Sequence, residues 1–330
     1  MSIGSHSPNP APAPKPAGDL TSFALAGGLG MAPDSKRPVR SSAYQLPEVL
    51  CARYHLEALL GAGGMGVIYR ARDLLHAQFG EPDPYVAIKL MCDDLSEAPD
   101  ADLLLYSEFA LTRHLRHPNV IRVDAFEVDP ASRRAFITQE LMRGKTLEAL
   151  LCEQPTGVAP YELADIAIPL LDALAYSHER GVVHGDLKPG NLMLTDGGPR
   201  LFDFGLGQST QGALSKLPRL SEERFKAWTP RYAAPELLEE GGVRSTRTDV
   251  FAMGCVLFEV ASGKHPFGAM LSTEAHVERR WKQLRAPANL PVRFWPALRL
   301  ALNLEADRRA ITARELHEAF RTVPIGKMQF

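Results

Sequence analysis

Paired cysteines are missing from this chain. Its four cysteines, Cys51, Cys92, Cys152 and Cys255, are scattered over 330 residues with no C-x-x-C pair, which argues against a zinc site and a disulfide framework and for a reducing, cytoplasmic setting. An excess of charge is missing too: 37 Lys and Arg against 39 Asp and Glu give a formal net charge of -2, so neither a nucleic-acid partner nor an anionic membrane surface is implied. Long apolar runs are also lacking. A membrane span needs about 18 or more uncharged apolar residues, whereas Asp165 and Asp172 punctuate one candidate stretch and Glu259 closes the other. The Ala-rich stretch from Phe23 to Ala32 is broken by Gly27, Gly28 and Gly30 and preceded by prolines, which speaks against a secretion signal. No internal repeat is evident.

What is present is the composition of a globular protein, 45% hydrophobic and 23% charged, long enough for one two-lobed enzyme or two ordinary domains. Residues 1–45 differ from the rest. Pro8, Pro10, Pro12, Pro14 and Pro16 alternate there with small residues, a composition that buries too little apolar surface to offset its ordering entropy, so a disordered tail is expected. The basic run Lys36-Arg37-Pro38-Val39-Arg40 before Ser41 and Ser42 reads first as a solvated linker. From Tyr54 onward short apolar runs predict strands over 56–60, 67–70, 85–91, 120–128 and 134–139, with one helix over 102–117. Beyond Gly144 helical spacing dominates, most clearly over 161–180, 248–262 and 312–321. A strand-rich first part and a helix-rich second part predict an α+β enzyme with two lobes and a cleft between them.

Gly61, Gly63 and Gly66 spell G-x-G-x-x-G, a string that dinucleotide-binding folds also use. Here Val67 to Ala71 continues as a strand instead of opening a helix, so the glycines sit at a hairpin tip, where backbone N–H groups can approach phosphates with no Cβ in the way. Val86-Ala87-Ile88-Lys89 then places an ammonium on the third strand. Further on, Val183-His184-Gly185-Asp186-Leu187-Lys188-Pro189-Gly190-Asn191 and Leu201-Phe202-Asp203-Phe204-Gly205 gather carboxylates, an amide and an ammonium into one short region. That combination meets the needs of phosphoryl transfer: a proton acceptor, cationic groups for the transferring phosphate, and oxygen ligands suited to Mg²⁺.

In this set the chain resembles the eukaryotic-type (Hanks-type) serine/threonine protein kinases of bacteria over about residues 54–322. The resemblance implies a β-rich N-lobe with one main helix over 46–143 and a mostly helical C-lobe over 144–330, using ATP and Mg²⁺ on protein substrates. It implies that Asp186 accepts the substrate proton, Lys188 neutralises the transferring phosphoryl group, and Asn191 and Asp203 ligate Mg²⁺. Lys89 would bind the α- and β-phosphates and Glu108 would orient it, with Glu97 and Asp102 as nearby alternatives. Backbone groups of Glu140 and Met142 would hold the adenine edge, while Ile68, Ala87 and Met193 would cover its faces.

His-Gly-Asp followed by Pro-Gly-Asn also resembles aminoglycoside and choline kinases, and an ATP-binding pseudokinase is a third possibility. Trp228-Thr229-Pro230-Arg231-Tyr232-Ala233-Ala234-Pro235-Glu236, Asp249 and Arg309 resemble the protein-kinase activation segment, the brace of the catalytic loop and the partner of Glu236. They tilt the expectation towards protein acceptors, with Thr229 near Asp186. Three letters depart from the family: Gly185 stands where Arg is usual, Trp228 where Gly is common, and Thr112 where an apolar residue is expected.

Overall fold

A computed structural model describes residues 46–63, 66–91, 101–217 and 230–321. The tail 1–45, Glu97, Trp228 and Thr229 lie outside these described residues. The N-terminal part is built on six antiparallel strands in the order β1-β2-β3-β4-β6-β5: β1 (Val49–Leu50), β2 (Tyr54–Ala62), β3 (Gly66–Asp73), β4 (Tyr85–Met91), β5 (Val123–Val128) and β6 (Ala135–Glu140). β2 and β3 form the expected glycine hairpin, so the strand reading of Val67 to Ala71 holds against a Rossmann unit.

Two short elements of this lobe, β1 and a helix after β3, carry no pattern in the sequence. α1 (Leu74–Gln78) follows β3 directly, started by the Asp73 carboxylate, which accepts the N–H groups of Leu75 and His76 at 3.1 and 3.2 Å. The predicted strand from Val120 begins at Val123 instead. Val120 to Ile121 run past the other lobe, where Ile121 N–H donates to Leu201 O at 2.9 Å and Leu201 N–H to Asn119 O at 2.8 Å.

α2 (Ala101–His114) packs on the sheet because Leu105 and Phe109 recur on one face and close a cluster with Met91, Ala135 and Ile137. The helix was expected to reach His117 but stops at His114. Pro118 disfavours helical geometry at the residue before it, and the Leu115 N–H turns back to Thr112 O at 3.0 Å.

The second lobe opens with β7 (Gly144–Thr146) and α3 (Leu147–Glu153), then α4 (Pro160–Glu179), which enters through a proline at its first position. Three short strand pairs follow along the cleft side. β8 (Val182–Val183) pairs with β11 (Gln208–Ser209), while β9 (Leu192–Thr195) lies between β10 (Gly198–Leu201) and β7. After α5 (Pro235–Leu238) comes α6 (Thr246–Ser262), which is buried on nearly every face, as a helix running through a lobe's centre must be. Ser245 and Thr248 close a capping box at its start and Gly263 ends it at φ +70°. α7 (Ser272–Val277), α8 (Trp295–Ala301) and the amphipathic α9 (Ala313–Arg321) wrap this core, with Phe294 stacked on Phe320 at 4.2 Å. The observed architecture is thus the expected two-lobed α+β fold, and the strands and loops at the junction of the lobes carry the polar residues singled out above.

Candidate active site

Lys89 lies on β4 opposite Ile68 of β3, two residues beyond Ala87. Because side chains alternate along a strand, Ile68, Ala87 and Lys89 share one face of the sheet. At the mouth of that face, Gly63 N–H donates to Gly66 O at 2.8 Å, tightening the hairpin next to Gly61. A Cβ on Gly66 would fall 2.4 Å from the Leu90 carbonyl oxygen, so glycine there follows from the close approach of two strands.

The Lys89 ammonium is buried and donates to Glu108 Oε1 at 2.5 Å and to Asp203 Oδ1 at 2.8 Å. Glu108 is therefore the carboxylate of α2 that meets Lys89, while Asp102 is exposed. Burial works against the Lys89 charge, but Asp203 and Glu108 together outweigh it and raise its pKa. For Asp203 burial pushes upward, and the Lys89 charge and hydrogen bond, aided by Lys188, hold the carboxyl below its usual value. Asp203 also sits at φ +66°, a backbone state that costs a non-glycine residue about 1 to 3 kcal/mol. Through it the second lobe holds the lysine, so this backbone state serves a bond between the lobes.

The loop after β8 holds the remaining groups. Asp186 is buried, and burial pushes its carboxyl up against the opposing charge of Lys188, whose Nζ donates to Asp186 Oδ2 at 2.7 Å. The Asn191 amide nitrogen donates to Asp186 O at 2.8 Å and to Asp186 Oδ2 at 3.2 Å. That orientation turns the Asn191 carbonyl oxygen towards other partners. Phe202 N–H in turn donates to Asn191 O at 3.2 Å, which seats Asp203 one residue from the backbone that carries Asn191. The site therefore offers one ionised carboxylate and one amide oxygen from neighbouring segments.

No group of three or more His, Cys, Asp or Glu side chains among the described residues is placed to hold a metal by itself. Asp203 and Asn191 fit Mg²⁺ in the way that ion is commonly held, by one or two protein oxygens together with phosphate oxygens and water.

Asp249, near the start of α6, receives His184 N–H at 2.7 Å and Gly185 N–H at 2.9 Å, and His178 Nε2 lies 2.9 Å away. A buried carboxylate thereby fixes the turn into Asp186. The His184 ring packs on Phe204 with centroids 4.5 Å apart, and its Nε2 lies 3.0 Å from Phe202 O. Thr112, where an apolar side chain was expected, is buried and donates its hydroxyl to Glu108 O at 2.8 Å. Further out, Arg309 is fully buried, holds Glu236 through two bonds of 2.6 and 3.2 Å, and lies 4.8 Å from the centroid of the Phe251 ring.

Of the residues expected at an adenine, Met142 packs against a small cluster of Ile121, Met193 and Phe202, and Ala87 is buried. Glu140 ends β6, its N–H given to Arg122 O at 3.0 Å and its side chain accepting Arg122 N–H at 2.7 Å. Sequence reasoning passed over Arg244. Its Nε donates to Gly185 O at 3.3 Å, and its own carbonyl accepts the Gln208 side-chain amide. No motif marks either residue, and only the folded chain brings them to the loop after β8.

Residues 54–306 match the protein kinase domain family. The chain is 31% identical to the serine/threonine-protein kinase PkaA of Streptomyces coelicolor over 284 residues, covering 83% of this chain and 50% of that protein. It is 30% identical to the probable serine/threonine-protein kinase PknB of Corynebacterium glutamicum, covering 85% of this chain and 42% of that protein. With the DNA damage-responsive serine/threonine-protein kinase RqkA of Deinococcus radiodurans the identity is 39% over 223 residues, 66% of this chain and 31% of that protein. The chain spans half or less of the length of these curated relatives.

Proposed function

The chain belongs to the protein kinase domain family, and from that membership we propose that it transfers the γ-phosphate of ATP to serine or threonine hydroxyls of proteins, itself included. The observation that carries this reading is the convergence of Lys89, Glu108 and Asp203 in one buried ion cluster beside the hydrogen-bonded group of Asp186, Lys188 and Asn191. Phosphoryl transfer is mostly positioning and charge stabilisation, and this arrangement provides for both.

In this reading the backbone of Gly61, Gly63 and Gly66 covers the phosphates, Lys89 holds two of them, and Glu108 keeps Lys89 in place. The backbone of Glu140 and Met142 meets the adenine edge, with Ile68, Ala87 and Met193 against its faces. Asp203 and Asn191 hold Mg²⁺, which when bound neutralises phosphate charge. Asp186 orients the acceptor hydroxyl and takes its proton, a role helped by burial that raises its basicity. Lys188 keeps its ammonium beside that exchange, where negative charge builds on the transferring group.

Protein acceptors are favoured over small molecules by the Arg309–Glu236 pair that braces the segment ahead of α6, and by the serine/threonine-protein kinases to which the chain is similar. Labelled ATP offered with a generic basic protein, with the chain alone, and with aminoglycoside or choline tests the proposal. Transfer to protein that falls by about 10² to 10⁴ in Asp186→Asn supports it. Transfer only to the small molecules overturns it.

A further inference from the structure

Gly185, the residue before Asp186, has φ +82°, and a Cβ added to it would lie 2.6 Å from both Arg244 Cδ and the Leu206 carbonyl oxygen. Real side chains do not approach so closely. Arg244 thus fills the room that any larger residue at position 185 would need. It does more than fill space, because its Nε donates to Gly185 O and its carbonyl accepts the Gln208 side chain. Gln208 belongs to β11, paired with the strand that leads into the catalytic loop. Ser245, next in the chain, caps α6, and that helix supplies the Asp249 carboxylate that takes the Gly185 amide. Both polar groups of the Gly185 backbone are therefore held from one short stretch, its N–H by Asp249 and its C=O by Arg244.

We propose that Arg244 is a positioning residue for phosphotransfer: seated in the space left by Gly185, it fastens the backbone in front of Asp186 to β11, so that the loop is set without a phosphate on the segment that follows. A phosphate read by an arginine orders such a segment through new charge-assisted hydrogen bonds. Here an arginine from a different element already supplies a donor to the backbone in front of Asp186. An arginine guanidinium presents its donors in a fixed fork, so the tie does not depend on a modification event. The inference rests on the kinase reading, and its effect is expected on the placement of Asp186 more than on the adenine and the α- and β-phosphates, whose proposed ligands stand on other segments.

The test compares wild type, Arg244→Ala, Arg244→Lys and Gln208→Ala, each treated with phosphatase and assayed on a basic protein. Phosphatase treatment is expected to leave wild-type turnover unchanged. A misplacement of about 1 Å costs on the order of 10² in rate, so Arg244→Ala is expected to lose about 10-fold to 100-fold in kcat with the KM for ATP within about 2-fold. Arg244→Lys, which keeps a charged donor on a long stem, recovers part of that loss. Gln208→Ala lowers kcat in the same direction, and the double variant loses less than the product of the two single losses, as expected for residues acting through one tie.

Hydrogen exchange at the Gly185 and Asp186 amides gives a readout independent of turnover: it speeds up in Arg244→Ala and in Gln208→Ala while the β4 amides keep their protection. Wild-type kcat in Arg244→Ala, loss of wild-type activity on phosphatase treatment, or unchanged exchange in both variants overturns the proposal. A wild type that transfers no phosphate to protein overturns the kinase reading instead, and the exchange comparison still decides whether Arg244 positions the loop.

Discussion

Lys89 and Glu108 meet at 2.5 Å with both side chains buried, which joins β4 to α2, the helix packed on the sheet. Glu108→Gln keeps the shape and removes the charge. A hydrogen bond to a charged group is worth about 1.5 to 3 kcal/mol, so kcat/KM for ATP is expected to fall by about 10-fold to 100-fold. Lys89 still has Asp203, so part of that stabilisation remains and the melting temperature should fall by only a few degrees. An unchanged kcat/KM would show that Asp203 alone holds the lysine.

Asp249 is the shared acceptor for the amides of His184 and Gly185. Asp249→Ala leaves both without it and loosens the turn that presents Asp186. The expected outcome is a kcat loss of about 10², with the ATP dissociation constant, read by calorimetry, within a few-fold of wild type. A parallel loss of nucleotide affinity would contradict the division of labour between these groups.

Arg309 is buried with its guanidinium spent on Glu236, Asn303 O and Arg247 O. Removing one member of a fully buried pair costs about 3 to 5 kcal/mol, and with Glu236 26% exposed the cost here falls to about 2 to 3 kcal/mol. Urea unfolding of Arg309→Leu should show a drop of that order. Glu236→Leu combined with Arg309→Leu should recover much of it, because no charge is then left alone. A double variant as unstable as the single would locate the cost in the lost packing over Phe251.

His265 predicts a pH dependence of stability. Burial, assisted by the charge of Arg231, pushes its pKa from 6.5 down to about 3. The unfolded chain therefore binds a proton more readily than the folded one between those values. Stability is fully present above pH 6.5 and is lost as the pH falls towards 3. Between pH 7.5 and pH 5 the loss from this group is about 2 kcal/mol. In His265→Phe the urea midpoint should depend less steeply on pH over that interval, and an equal slope in both proteins would count against the assignment.

What was legible in the sequence was local. The sequence marks both ends of β4, Tyr85–Met91, through its apolar run and flanking polar residues. The loop carrying Asp186, Lys188 and Asn191 was legible because its groups lie within a few residues of each other, so their types and order point to the proposed chemistry. Glu108 was distinguishable from Asp102 only by where each lies on the helix, and the fold decided between them.

The short pieces were not legible. α1 has five residues and no buried side chain, so no hydrophobic period exists to find, and only the cap at Asp73 marks it. β8 and β11 have two residues each, fewer than alternation requires. Arg244 and Gly185 are 59 positions apart, and a surface-type arginine between two helices announces nothing until the chain folds back on itself.

The pairing of Val182–Val183 with Gln208–Ser209 has a consequence in polymer terms. Everything from His184 to Gly207, which includes Asp186, Lys188, Asn191 and Asp203, is a loop whose two ends are pinned side by side. The entropy of closing a loop grows only with the logarithm of its length, and here the small ladder at its neck meets that cost once for the whole set. Residues inside the ring are thereby free to differ in chemistry, as Gly185 does, without reopening the ring that brings them together.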